Sequence, residues 1–187
     1  MAILSTVPRP PAARAKVLTA FSALVVEQGE RAATLDAVAE RAGVSKGGLL
    51  YHFATKDALV EGLQAHFDEL TAVDVEMMRA DPSGPTAYLL RTSTVIDTEF
   101  ELAYLALVRL AQGAYPQARA AIDRANDAWT AEILSEVGDP AVARATVLLS
   151  DGLYLHAALR ATGERTSHDV DELIGLVREL LEARRAR

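Results

Sequence analysis

The sequence predicts an all-α fold of about nine helices. Three observations predict it. Apolar residues recur at three- and four-residue spacing along most of the chain, no segment alternates clearly enough for a strand, and Gly, Pro, Asp and Ser clusters separate the periodic stretches. No internal repeat is visible. The 187 residues suffice for one domain or two small ones sharing helices, and half of them are hydrophobic, which provides a substantial core. There is no cysteine, so disulfides, a thiolate zinc site and a cysteine nucleophile are excluded, and a reducing cytoplasm is expected. No run of 18 apolar residues occurs, so no transmembrane helix is expected and the membrane is not a partner. Residues 1–12 lack the form of a signal peptide and read as a flexible arm.

The elements follow in order. Pro10 and Pro11 open a first helix to about Gln28, with Val17, Leu18, Phe21, Leu24 and Val25 as its stripe and Gly29 as its end. Thr34 is placed to cap a second, on which Leu35, Val38, Ala39 and Ala42 form one apolar face and Asp36 suits the dipole. Gly43 can take the positive φ of a sharp turn, and Val44 plugs the corner. Ser45 then caps a short helix, Lys46 to about His52, with Leu49 and Phe53 inward. Thr55 caps a long one that begins at Lys56 and carries Leu59, Leu63, Phe67, Leu70 and Val73 towards Met77 and Met78.

Asp81-Pro82-Ser83-Gly84-Pro85 breaks the chain. Residues 86–112 have helical period with weak points at Thr92-Ser93-Thr94 and Asp97-Thr98, so two helices are expected there. After Tyr115 a helix from Pro116 to Val137 places Ile122, Ala125, Trp129 and Ile133 on one side. Gly138-Asp139-Pro140 supplies a C′ glycine, an N-cap and a proline at N1. The helix 141–161 is apolar on most of its surface, Gly163 ends it, and Ser167 caps a last helix striped with Val170, Leu173, Ile174, Val177, Leu180 and Leu181.

A helix, a glycine turn and a second helix that offers Lys46, Gly47, Gly48, Tyr51 and His52 outward form a helix-turn-helix pattern. Two glycines in so short a helix cost roughly 1 kcal/mol each against alanine, and close approach to a phosphate or groove wall is the obvious compensation. A helical corner without nucleic acid is the plain alternative. The run from Thr34 to Lys56 resembles the DNA-binding segment of TetR-family transcriptional repressors. Thr34, Asp36, Val38, Ala39, Ala42, Gly43, Val44, Ser45, Lys46, Gly47, Leu49, His52, Phe53, Lys56 and Leu59 match that motif. Gly48 and Leu50 depart from it, standing where Ser, Thr or Ala and a first aromatic are usual. The resemblance implies a headpiece over 13–58, a ligand-binding and dimerisation domain over 59–187, and DNA contacts from Thr34, Ser45, Lys46, Gly47, Gly48, Tyr51, His52 and Lys56.

The net charge of −7 is unevenly spread: residues 1–67 hold seven Lys/Arg against six Asp/Glu, and residues 68–187 hold twelve against twenty. The acidity lies away from the motif, which favours DNA binding modestly. The four histidines are scattered, and no Walker loop, GxGxxG or GxSxG occurs, so neither a metal site nor an enzyme is expected, and no cofactor. Tyr88, Arg91, Phe100, Tyr104, Arg109, Trp129, Tyr154 and His156 gather aromatic and polar character in the acidic part. Each alone reads as core or surface; together they suggest a cavity for an unidentified small-molecule effector, with Tyr88, Phe100, Tyr104, Arg109, Trp129 and His156 as candidates. Effector binding in this domain, and dimerisation through the last two long helices, are also what the resemblance implies. The helix 141–161 needs cover on several sides, which a buried central helix in a monomer or a four-helix dimer interface could each supply. Leu148, Leu155, Leu173, Val177 and Leu180 are the candidate interface residues. The expected function is a homodimeric, ligand-responsive repressor of a palindromic double-stranded operator. The alternative is a helix-turn-helix protein without an effector, acting in architecture or protein interaction.

Overall fold

The computed structural model describes residues 10–94, 98–158 and 170–186. Among them are nine α-helices, two 3-10 turns and no strand. The α-helices are α1 (Pro10–Gln28), α2 (Leu35–Ala42), α3 (Lys46–His52), α4 (Lys56–Ala80), α5 (Pro85–Thr92), α6 (Glu99–Ala111), α7 (Arg119–Val137), α8 (Pro140–Ala158) and α9 (Val170–Arg185). The all-α expectation holds. Arm residues 1–9, Asp97 of the second weak point, and Gly163 and Ser167 lie outside the described residues.

The chain divides into two compact units. The first runs to Phe67 and takes in Leu102–Arg119; the second comprises Asp68–Glu101 and the residues from Ala120 on. Both α4 and α6 therefore contribute to each.

In the first unit, α1 packs on α2 and α3. Val17, Leu18, Phe21, Leu24 and Val25 are all buried, as their spacing predicts. Gly29, at φ 86°, ends α1 and leads into a 3-10 turn, Glu30–Ala32, that the sequence did not announce. Arg41 of α2 reaches back to α1 in a bidentate pair with Glu27, at 2.7 and 2.5 Å. The Phe53 ring lies against Gly62 of α4, where a Cβ would collide with it.

In the second unit, α5 packs on α8 and α9, and α8 on α9. Asp81 accepts from the Ser83 amide and hydroxyl, and Gly84 at φ 89° releases α5 behind the expected break. The connector before α8 forms as expected: Gly138 at φ 72°, and Asp139 Oδ1 accepting from Ala141 N (2.8 Å) and Val142 N (3.2 Å). Ser150, a polar residue inside apolar α8, pairs its hydroxyl with that of buried Ser93 at 2.7 Å.

Three local expectations are corrected. The stripe of α4 does not continue through Val73, which is exposed, but through Thr71, Val75 and Met78. A row at four-residue spacing from Leu59, Leu63 and Phe67 leads to Thr71 and Val75, and polar Asp74 is drawn inward beside it. The helix expected from Pro116 begins as a 3-10 turn, Pro116–Ala118, before α7. Ile122 is half-buried while Ala121 takes the buried position.

Candidate nucleic-acid interface

The interface is assembled from two capped helices and a left-handed glycine. Thr34 Oγ1 accepts from Ala37 N at 3.2 Å, which satisfies one free donor at the start of α2. Gly43 sits at φ 65°, ψ 33°, and its N–H closes on the carbonyls of Ala39 and Glu40. A residue with a Cβ would strain there. Val44 fills the corner half-buried. Ser45 Oγ then accepts from Gly48 N at 3.1 Å and starts α3.

Leu49 and Phe53 are buried and fix α3 to the headpiece, while Arg14 lies 5.8 Å from the Phe53 ring centroid. The other face is bare. Tyr51 is 84% exposed and Leu50 39%. A Cβ at Gly47 would meet nothing within 4 Å, and one at Gly48 would press on Ser45 Oγ at 3.2 Å. Gly48 thus keeps room for the cap, and Gly47 leaves the helix start open to a close neighbour. Tyr51 and His52 stack edge to face at 5.1 Å, which orients both rings. A large aromatic exposed on a rigid, capped helix has no packing role here.

The two lysines differ. Lys46 pairs with Asp36 at 2.7 Å on the exposed surface, a contact worth at most about 1 kcal/mol in water and easily exchanged for phosphate. Lys56 is held inside. Its ammonium donates to the Glu30 carbonyl and pairs with the Glu30 carboxylate, both at 2.5 Å. It therefore ties α4 to the 3-10 turn, and a phosphate contact from Lys56 would have to compete with that pair.

The candidate effector residues are not all brought together. Tyr88, Phe100 and Trp129 converge in the second unit on a residue the sequence reading missed. Asp74 Oδ1 accepts from the Tyr88 hydroxyl and Oδ2 from Trp129 Nε1, each at 2.8 Å, and the Phe100 and Trp129 rings lie 6.0 Å apart. Burial holds the Asp74 carboxyl above the usual carboxylate value, against the lowering effect of the two hydrogen bonds. Burial and the neighbouring carboxylate push the Tyr88 phenol up as well, so it remains a donor. A polar residue at an inward position of α4 is the signal that could have found Asp74. Tyr104 belongs to the first unit, with its ring 6.0 Å from Phe67. Arg109 and His156 are exposed on the outer faces of α6 and α8.

The candidate interface residues divide too. Leu148, Leu155 and Leu180 are exposed at 69%, 57% and 44%, and Leu176 joins them at 55%. Leu173 is half-buried, whereas Val177 is buried within its own unit and cannot serve as a contact for a second copy. The stripe of α9 is wide enough that its centre faces α5 and only its flank faces outward. Among the described residues no helix is long and apolar enough to cross a membrane.

Known proteins resemble the chain over the same headpiece and the same fold. The model of bacterial regulatory proteins of the tetR family matches residues 17–63. An HTH-type transcriptional activator, FasR of Mycolicibacterium smegmatis, is 42% identical over 60 residues, which are 32% of this chain and only about a quarter (27%) of that protein. The multidrug binding protein EbrR, crystallised with malachite green, is 27% identical with a TM-score of 0.65, covering 94% of this chain and 98% of its own. A transcriptional regulator from Streptomyces coelicolor A3(2) and GusR of Salmonella enterica share the fold at TM-scores of 0.68 and 0.67, with 22% and 17% identity, over 91% and 94% of this chain and 99% and 98% of theirs. The capped helix-turn-helix over residues 17–63 thus matches the DNA-binding segment of the tetR family of bacterial regulatory proteins, and the all-α architecture is one that solved transcriptional regulators share.

Proposed function

We propose that the chain is a homodimeric, ligand-responsive repressor that binds a palindromic operator in the cytoplasm. The observation that carries the reading is the bare outer face of α3, where Tyr51 is 84% exposed beside two glycines on a helix locked from beneath by Leu49 and Phe53. Tyr51, Leu50 and His52 would meet base edges in the major groove, and Thr34, Ser45, Lys46, Gly47 and Gly48 would meet the backbone. Lys56 acts chiefly by holding Glu30. The exposed leucines of α8 and α9 support dimerisation, since large apolar residues grouped on a soluble face mark an interaction site. Two headpieces would then read half-sites ~34–36 Å apart.

For the effector, the node of Asp74, Tyr88, Trp129 and Phe100 is the favoured place. Asp74 lies on α4, 18 residues beyond Lys56 on the same helix. A ligand that exchanges hydrogen bonds with this node would move one end of the helix whose other end holds the headpiece, and would change operator affinity by linkage. EbrR, bound to malachite green, supports small-molecule binding in a chain of this fold. The FasR similarity favours activation as a second outcome of the same DNA binding. A reporter gene placed behind the operator separates the two: deleting the regulator raises expression for a repressor and lowers it for an activator.

A further inference from the structure

A second, separate feature of the second unit lies between the start of α5, the end of α7 and α9. There the surface encloses a cavity of about 190 Å³. None of Asp74, Tyr88, Phe100 or Trp129 lines it. A void of ~150 Å³ already admits benzene, and drug-sized sites begin at about 300 Å³, so the space suits a small molecule of benzoate size.

The wall is chemically divided. Val137, Ile174, Val177 and Leu181 give an apolar side, and Glu136, Thr86, Arg178 and Arg185 a polar one. Glu136 is already committed. Its Oε2 accepts from Thr86 N at 2.8 Å, and its Oε1 occupies the space that a Cβ on Gly84 would need. The carboxylate is thereby fixed on the N-terminus of α5, whose dipole it neutralises. Arg185 spends one donor on the Val137 carbonyl at 3.3 Å. Among the described residues Arg178 has no ion pair or hydrogen bond. The Thr86 hydroxyl is buried without a partner, in a residue only 6% exposed. Such a group is costly while unmet, but its oxygen is closed off from the cavity. Two guanidiniums against one engaged carboxylate leave the wall with a net positive charge. Such a wall suits an anion with an apolar body.

We propose that this cavity binds a compact monocarboxylic acid. The Arg178 and Arg185 guanidiniums hold its carboxylate, and Val137, Ile174 and Val177 cover its apolar body. The site is independent of the effector node, and its failure would leave the DNA-binding reading untouched. Calorimetric titration of the full chain with benzoate, with benzyl alcohol as the uncharged analogue, tests it. Saturable benzoate binding is expected, with affinity falling about tenfold or more in Arg178→Ala, as the loss of a charge-assisted hydrogen bond implies. Benzyl alcohol should bind at least as much more weakly. No saturable benzoate binding, equal binding of benzyl alcohol, or affinity unchanged in Arg178→Ala and Arg185→Ala would overturn the proposal.

Discussion

Gly62 shows how one atom can be decisive at the residue scale. It lies on α4 where the buried Phe53 ring needs the space of its Cβ. In an exposed helix alanine would be the better residue by roughly 1 kcal/mol; here that gain is outweighed. Gly62→Ala should destabilise the fold by about 1–3 kcal/mol, as overpacking does, and urea unfolding would measure it. A variant as stable as the parent would show that the ring is not held there. Asp74 allows a prediction with a sign. Its folded value is raised above the ordinary 3.8 by burial, so folding favours the protonated acid. That contribution is fully present below the ordinary value and is lost as pH rises through the raised one. Asp74→Asn keeps an acceptor for Trp129 and can donate to the Tyr88 oxygen, and it does not titrate. Its stability should therefore fall less than the parent's as pH rises from about 4 to about 7. Parallel curves for the two proteins would contradict this account of Asp74.

At the scale of elements, α8 and α9 separate two kinds of apolar surface. Leu148 and Val177 are both aliphatic, but Leu148 is 69% exposed and Val177 is 4%. Leu148→Glu should leave a monomer nearly as stable, within about 0.5 kcal/mol, while abolishing the dimer. Val177→Glu should destabilise the second unit, because it replaces a buried apolar contact with a charged side chain. Light scattering together with circular dichroism checks both, and a parent chain that is monomeric at micromolar concentration would refute the interface. The same contrast explains what the sequence could and could not tell. Caps and breaks were legible because Thr34, Gly43, Ser45 and Asp139 act on backbone a few residues away, and that chemistry is local. The stripe of α1 was legible because one face of a regular helix is simply buried. Which flank of α9 faces outward was not, since the answer depends on where α5 packs. Asp74 was hidden for a related reason. An acidic residue on a long helix reads as solvated until Tyr88 and Trp129, 14 and 55 residues away, are seen to meet it. The pairing of Lys56 with Glu30 depended likewise on an unannounced 3-10 turn.

For the whole molecule, the acidic balance and the bare face of α3 are reconciled by where charge is placed. The chain carries −7 overall, but α3 offers Lys46, Tyr51 and an open Gly47, and Lys46 is paired with exposed Asp36. DNA binding on this account rests on few phosphate contacts and on orientation by a rigid helix, so each contact should be separately visible. The measurement that tests this most directly is an anisotropy titration of a labelled palindromic duplex, taken from the region beside the coding sequence, over a range of salt. The parent should bind it more tightly than a scrambled duplex. Lys46→Ala should weaken both and lower the salt slope by about one unit. Tyr51→Ala, changing a side chain that is 84% exposed and meets the ring of its neighbour His52, should weaken the palindrome selectively and leave the melting temperature nearly unchanged. Equal affinity for palindromic and scrambled duplexes, with both variants indistinguishable from the parent, would contradict the assignment of α3 as the recognition helix.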